Sequence, residues 1–358
     1  MAEKVLTAMS GGVDSAAAAL ILTREGYDVA GVTMRLYDAE AATPRSCCAP
    51  AALKEAATLA RAIGIPHYVL DFREFFRRAV VEDFVTEYGR GRTPNPCIRC
   101  NGVVKFERLL ALARAMGFDK IATGHYVRRE YDRARSRYAL RRAADESKDQ
   151  SYFLWATPRE NLADILFPVG DLLKSEVREL LAEAAPATRD KPESQDICFI
   201  EEGSYADFVA RETGVGGQEG PITDEEGHVL GLHKGIARYT VGQRRGLGVA
   251  GGERMYVKSV DAATNTVVLA RGPALEASTF TATRVNWLLE PESERLRATA
   301  AVRFRDRGAP ATLRRKDAGT WEVAFDAPRR AIAPGQSAAF YDGDVLLGGG
   351  VIEEVAGR

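Results

Sequence analysis

Short apolar runs alternate with amphipathic stretches through the first third of the chain. Val5 to Met9 is one such run, and after a glycine pair comes the alanine-rich Ala16 to Thr23. Val29 to Leu36 is a second β-type run, and Leu53 to Ile63 repeats the helical pattern. Beyond Gly64 follow His67 to Leu70, the amphipathic Phe75 to Tyr88, the helical Lys105 to Met116, and Ile121 to Ala122 just before "TGHY". Apolar runs bounded by turn residues and separated by 3.6-period segments predict βαβ units. The fold class expected is α/β, with an N-terminal doubly wound parallel sheet that binds its ligand at the carboxyl ends of its strands.

Past Lys191 the texture changes to glycine-rich turns and short alternating runs such as "MYVKSV", "TVVLA", "ATAAVRF", "WEVAF" and "SAAFY". Many short strands at close spacing predict an all-β terminal barrel or sandwich. Phe199 to Gly252, charged and rich in glycine, reads as a small central domain between the two. The expected boundaries are 1–198 for a nucleotide-binding catalytic domain, 199–275 for the central domain and 276–358 for a C-terminal β-barrel. A chain of 358 residues exceeds what one hydrophobic core usually supports, in keeping with this division.

Composition narrows the function classes. With 46% hydrophobic and 28% charged residues the chain should be soluble and globular. No window approaches the ~18 consecutive apolar residues of a membrane span, and Met1 to Met9 lacks a secretory pattern, so a cytoplasmic protein without a membrane partner is expected. The net charge of −1 excludes a globally basic nucleic-acid binder but leaves room for local basic patches. Five cysteines in such a chain point to metal binding, catalysis or buried thiols rather than a disulfide framework.

"AMSGGVDS", Ala8 to Ser15, falls between the first strand and the first helix. Gly11 and Gly12 let the backbone turn tightly and approach an anion, and the helix behind them offers N–H groups and a positive dipole end. Ser10 and Ser15 add hydroxyls, while Asp14 would cap the helix or help to hold a cation. The loop is neither a Walker A sequence, since no lysine follows the glycines, nor G-x-G-x-x-G. Its spelling, S-G-G-x-D-S, resembles the pyrophosphatase loop of the adenine-nucleotide α-hydrolase-like superfamily, whose members cleave ATP between the α and β phosphates and adenylate a substrate oxygen. The resemblance implies ATP contacts along Ala8, Met9, Ser10, Gly11, Gly12, Val13, Asp14 and Ser15. It also places Met34 and Gly124, at the ends of two other strands, on the same sheet edge, where adenine and ribose would lie.

The cysteines divide into two groups. Cys47 and Cys48 are adjacent, so their side chains diverge, and they read as incidental or locally structural. Cys97 and Cys100 form a C-x-x-C in "RTPNPCIRCN", a standard half of a zinc or redox site, and the helical pattern behind them could bring its positive end to Cys100. A second half is missing: Cys198 stands alone in "SQDICFI", and the four histidines contain no H-x-x-x-H pair. No metal bound by protein ligands alone is expected. A sulfur-transfer scheme, by contrast, needs one thiol to carry a persulfide and another to release the sulfur by forming a disulfide.

Eight segments, taken in order, resemble the bacterial tRNA-specific 2-thiouridylase family: the loop Ser10 to Ser15, "GRTPNPCIRCN" with "VVKF" behind it, "ATGHYVRR", "SKDQSYFL", "LFPVGDLLKSEVR", "ESQDICFI", "YTVGQRRGLGV" and "PGQSAAFYDGDVLLGGGVI". The resemblance covers nearly the whole chain. It implies a transferase that uses ATP and Mg2+ to adenylate the C2 oxygen of the wobble uridine in tRNAs for lysine, glutamate and glutamine, then installs persulfide sulfur to give 2-thiouridine, AMP and pyrophosphate. Cys100 matches the family's nucleophile and Cys198 the persulfide carrier, with a disulfide forming between them. Cys97 stands where some relatives have aspartate, so Asn95, Pro96 and Cys97 are expected at the target base. Cys97, Cys100 and Cys198 would alternatively hold a [4Fe–4S] cluster, whose usual ligands are thiolates. A persulfide donor such as a cysteine desulfurase or a sulfur-relay protein is the implied partner.

The tRNA needs cations and a surface for an unstacked base, because C2 is out of reach in the anticodon stack. Arginines cluster at 128, 129, 133, 135 and 137, at 244 and 245, and at 303, 305 and 307. Solvated faces explain most such runs. The resemblance singles out Lys148, Asp149 and Gln150, together with Arg303 and Phe304, as tRNA contacts. His125, beside Gly124, is either a general base or a structural or ribose-contacting residue.

Overall fold

A computed structural model describes residues 2–37, 50–188, 197–200, 205–213, 217–249 and 254–356. Cys47 and Cys48 lie outside the described residues. The chain divides into two compact units. One comprises Met1–Val80, Cys97–Glu202 and Asp344–Leu346, and the other Val81–Pro96, Gly203–Gly343 and Leu347–Arg358.

The first unit is built on the expected parallel sheet. Strand β1 (Lys4–Ala8) pairs in parallel with β2 (Asp28–Arg35) on one side and β4 (Lys120–Ala122) on the other, and β3 (His67–Asp71) pairs with β2. A hairpin, β5 (Arg128–Asp132) and β6 (Arg137–Arg141), stands apart from this sheet, and β7 (Ile165–Leu166) completes the order β3-β2-β1-β4-β7. The chain therefore leaves β1 in one direction and returns on its other flank. That reversal opens a crevice beyond the carboxyl end of β1, where "SGGVDS" lies.

Helix α1 (Val13–Arg24) buries Ala16, Ala17, Ala18 and Ala19 completely, and α2 (Pro50–Ile63) and helix Lys174–Ala184 share its core through Ala56, Leu59, Val177 and Leu181. Alanine suits this position because a side chain without rotamers lets neighbouring backbones approach closely at little entropic cost. Residues 73–89 and 96–115 are two continuous helical runs, each with an i→i+5 stretch inside it, Arg77–Val81 in the first and Cys100–Leu109 in the second. Val345 and Leu346 pair with β6.

In the second unit, β8 (Gly220–Thr223), β9 (Val229–His233), β10 (Met255–Asp261) and β11 (Thr266–Arg271) form a four-stranded sheet in the order β10-β11-β8-β9. Strands β12 (Glu276–Trp287), β13 (Arg295–Ala301), β14 (Ala309–Asp317), β15 (Thr320–Arg330), β16 (Ser337–Asp342) and β17 (Val345–Val355) follow. The expected C-terminal barrel is present: β12 closes it by pairing with β15 and also with β17. Register shifts at Ala277/Thr279, Thr281/Ala282 and Thr283/Asn286 bend this long strand enough to reach both neighbours. Phe280, Trp287, Trp321, Phe325 and Phe340 fill the interior. Among the described residues no helix is long and apolar enough to cross a membrane.

Candidate active site

The glycine loop is shaped by its own hydroxyls. Ser10 N donates to Ser15 Oγ at 3.2 Å, Gly12 N to Ser10 Oγ at 3.4 Å, and Ser15 Oγ to the Gly12 carbonyl at 3.1 Å. Gly11 has φ +77°, and a Cβ there would lie 2.8 Å from the Ala52 carbonyl, so this turn requires glycine. Gly12 caps α1 without a side-chain hydrogen bond, which leaves the first-turn amides to be met from outside the helix. Met9 and Val13 are buried in the core, so what they can offer a nucleotide is backbone. Met34, at the end of β2, is half-buried.

Gly124 fits a second requirement. A Cβ on it would sit 2.5 Å from Asp14 C and Ser15 N, so the end of β4 touches the start of α1, which any side chain would push away. Two residues on, the Tyr126 hydroxyl donates to Asp14 Oδ1 at 2.9 Å. Asp14 thus neither caps α1 nor stands open: the same oxygen also receives Lys174 Nζ at 2.5 Å. Lys174 begins helix 174–184, lies over the Tyr126 ring, and was not singled out by the sequence.

His125 packs against Phe106 and Phe167, which also touch each other edge to face, with Nδ1 2.8 Å from Thr123 Oγ1. Burial, and then the charge of Lys105, hold its pKa well below the ordinary imidazole value, so the ring is neutral near pH 7. A neutral ring in a cluster with two aromatics and tied to a hydroxyl suits a structural role better than that of a general base.

Cys100 is buried, Cys97 exposed, and Cys198 between the two. The helical run starts at Pro96, where a residue lacking an N–H is tolerated. The dipole end therefore lies nearest Cys97 and not Cys100, which corrects the expectation drawn from the sequence. Cys100 instead opens the i→i+5 stretch, a geometry frequent at functional sites. Its neighbour Asn101 is locked in place: Nδ2 donates to the Phe153 carbonyl at 3.2 Å, and Oδ1 accepts from Lys105 Nζ at 2.8 Å. The turn carrying Cys198 is held by the Tyr37 hydroxyl, which donates to the Cys198 carbonyl, and by Phe199 packed edge-on against Phe76. Among the described residues the only ligand atoms grouped closely enough for a single metal ion belong to Asp224, Glu226 and His228, an exposed hairpin turn whose members bond one another.

In the second unit, the approach to Asn95 and Pro96 is anchored. Arg92 lies between Glu87 (Nε to Oε2, 2.7 Å) and Glu353 (2.5 and 2.9 Å, bidentate). Thr93 N donates to the Pro334 carbonyl and Gln336 Nε2 to the Thr93 carbonyl, each at 2.9 Å. Arg92 lies within the segment "GRTPNPCIRCN", but nothing in the sequence singles it out there or pairs it with Glu353.

The proposed RNA contacts divide by environment. Asp149 accepts from Arg142, Ala143 N, Ser151 N and Ser151 Oγ, and Gln150 exchanges two 2.9 Å bonds with the Tyr126 backbone. Both spend polar atoms on shaping the loop that carries Lys148. Arg128 and Arg129 are also engaged, Arg128 with Asp344 and Arg129 with the carbonyls of Leu162 and Ala163. The loop between β13 and β14 differs: Arg303, Phe304, Arg305 and Arg307 are exposed, Arg305 flanks the Phe304 ring, and the half-buried Asp306 braces the turn through Arg329 and Gly308 N. An exposed ring among guanidinium groups is a surface suited to a base and its phosphates.

Known proteins resemble this chain along nearly its whole length. A family model described as the tRNA methyl transferase HUP domain matches residues 3–202, the tRNA methyl transferase PRC-barrel domain matches 206–271, and the aminomethyltransferase β-barrel domain matches 277–352. The chain is 44% identical to the tRNA-specific 2-thiouridylase MnmA of Desulforamulus reducens, over 98% of this chain and 97% of that protein. It is 42% identical to the protein of the same name from Clostridioides difficile, over 99% of both.

Proposed function

Since the chain belongs to the tRNA-specific 2-thiouridylase family, we propose that it is an ATP-dependent tRNA sulfurtransferase whose sulfur passes through Cys198 and Cys100. One observation carries the reading: the phosphate loop, Gly124, Cys100 and Cys198 all belong to the same compact unit.

ATP lies along Ala8 to Ser15, with its base and ribose toward Met34 and Gly124 and Mg2+ carried on its phosphates. A uridine C2 oxygen is a weak nucleophile, so alignment with the α phosphate and neutralisation of the departing pyrophosphate supply much of the rate. Asn95, Pro96 and Cys97 flank the flipped base, which is the wobble uridine of tRNAs for lysine, glutamate and glutamine. Lys148, Arg303 and Phe304 meet the tRNA, with Asp149 and Gln150 holding the Lys148 loop. The terminal sulfur of a Cys198 persulfide attacks C2 and expels AMP. The Cys100 thiolate then attacks the inner sulfur, and the electron pair of the broken S–S bond passes to the new thiocarbonyl. This leaves 2-thiouridine and a Cys100–Cys198 disulfide, which a cellular dithiol reduces before a persulfide donor, a cysteine desulfurase or relay protein of the cytoplasm, reloads Cys198.

A [4Fe–4S] cluster on Cys97, Cys100 and Cys198 fits less well, because Cys97 is exposed where Cys100 is buried, and no step is routed through one. The test is an assay with ATP, Mg2+, a persulfide donor and unmodified tRNA, analysed for 2-thiouridine. Product, pyrophosphate and AMP in equal amounts are expected from iron-free protein; no tRNA-dependent AMP would refute the function.

A further inference from the structure

The loop Ser10 to Ser15 has no cation of its own, yet its only charged member is the carboxylate of Asp14. A carboxylate at the mouth of a phosphate site repels the ligand unless something reverses its sign. Lys174 does so from 160 residues away, its ammonium 2.5 Å from Asp14 Oδ1 and over the face of Tyr126.

The fold has little need of this pair for itself. Asp14 lies in the first turn of α1, where a carboxylate is already favoured, and it accepts the Tyr126 hydroxyl as well. Burying an ammonium is costly, and apolar replacements of buried ion pairs are often neutral or stabilising. Yet the lysine side chain is 11% exposed and its position is fixed from several directions. Lys174 N donates to Asp145 Oδ2 at 3.0 Å, Asp145 is itself held by Ser147, and Leu173 N donates to Glu176 Oε2 at 2.6 Å. Gly124 closes against Asp14 from the other side. A flexible point charge has thus been given a rigid seat at a phosphate loop that lacks the internal lysine of a Walker A sequence.

Building on the ATP reading above, we propose that Lys174 is the cation this loop presents to the β and γ phosphates of ATP, delivered by helix 174–184 and oriented by Asp14 and Tyr126. ATP and AMP share base, ribose and α phosphate, so the two ligands separate this role from a structural one. In calorimetric titrations Lys174→Met should weaken ATP binding about ten- to a hundredfold, the value of a charge-assisted hydrogen bond, and leave AMP affinity within about twofold. Lys174→Arg should keep most of the ATP affinity. Equal losses for ATP and AMP, or no loss for either, would overturn the proposal. The double variant Asp14→Asn/Lys174→Met leaves no uncompensated carboxylate to disturb the fold. Its ATP affinity should stay low, and full recovery would show that the lysine only neutralises Asp14. Wild-type protein that binds neither nucleotide would instead overturn the ATP reading, before any variant is made.

Discussion

Replacing Arg92 by methionine should destabilise the second unit by about 3 kcal/mol, the lower end of the range for breaking a buried ion pair. The guanidinium is 14% exposed and Glu87 7%, so removing the cation strands a buried carboxylate. Arg90, 3.4 Å from Glu87 but 66% exposed, compensates only in part. Glu353 is 40% exposed and can turn to water, so its share is small, about 1 kcal/mol or less. Urea denaturation followed by tryptophan fluorescence reads this directly, since Trp287 and Trp321 lie in the barrel core. Glu353→Gln should cost much less than Arg92→Met. The acid side offers a second check. Hydrogen bonds from Arg92 hold the Glu353 pKa below the ordinary carboxylate range, so their stabilisation is complete at neutral pH and is lost as pH falls through that lowered value. Arg92→Met should remove most of the Glu353 part of this acid loss, leaving what Thr283 and Arg284 contribute. An Arg92→Met protein within about 0.5 kcal/mol of wild type, the scatter of ordinary surface changes, would refute the reasoning.

Other outcomes follow from single contacts. Gly124→Ala forces a Cβ into the backbone of Asp14 and Ser15, so ATP affinity should fall by roughly tenfold or more in equilibrium titration, as overpacking of about 1–3 kcal/mol implies. Because the His125 pKa is depressed by burial and by Lys105, the unfolded chain takes up its proton first. The stabilisation is therefore present above the unfolded value of about 6.5 and declines as pH falls below it. Denaturation at a series of pH values should show a shallower decline between about pH 7 and pH 5 for His125→Gln than for wild type. Lys148→Ala should weaken tRNA binding and reduce its salt slope by about one unit, whereas Asp149→Asn should lower stability first; an unchanged salt series for Lys148→Ala would count against that contact.

Much of this site was legible because its signals are local. "SGGVDS" needs only a strand before it and a helix after it, and the apolar periods on each side supply both. The parallel sheet followed from the same alternation. What stayed hidden were partnerships across the chain. Lys174 reads as one more polar residue at the start of an amphipathic helix until the fold places it on Asp14, and Arg92 meets Glu353 at a separation of 261 residues. The hairpin β5–β6 is obscured by its arginines, which look like a basic patch in sequence, although Arg128 is engaged by Asp344 and Arg129 by backbone carbonyls. The apolar period behind the cysteines is clear only from Lys105, whereas the helical run begins at Pro96, where proline at the first position is an initiator.

The central claim is that two cysteines distant in sequence carry out one sulfur transfer at the nucleotide loop. Single-turnover thiolation with a preloaded persulfide, tRNA and MgATP, followed by mass spectrometry of both product and protein, tests it most directly. One 2-thiouridine per Cys100–Cys198 disulfide formed is predicted, with no thiolated product from Cys100→Ser or Cys198→Ser although both variants still bind ATP. Thiolation that survives in both variants would contradict the account.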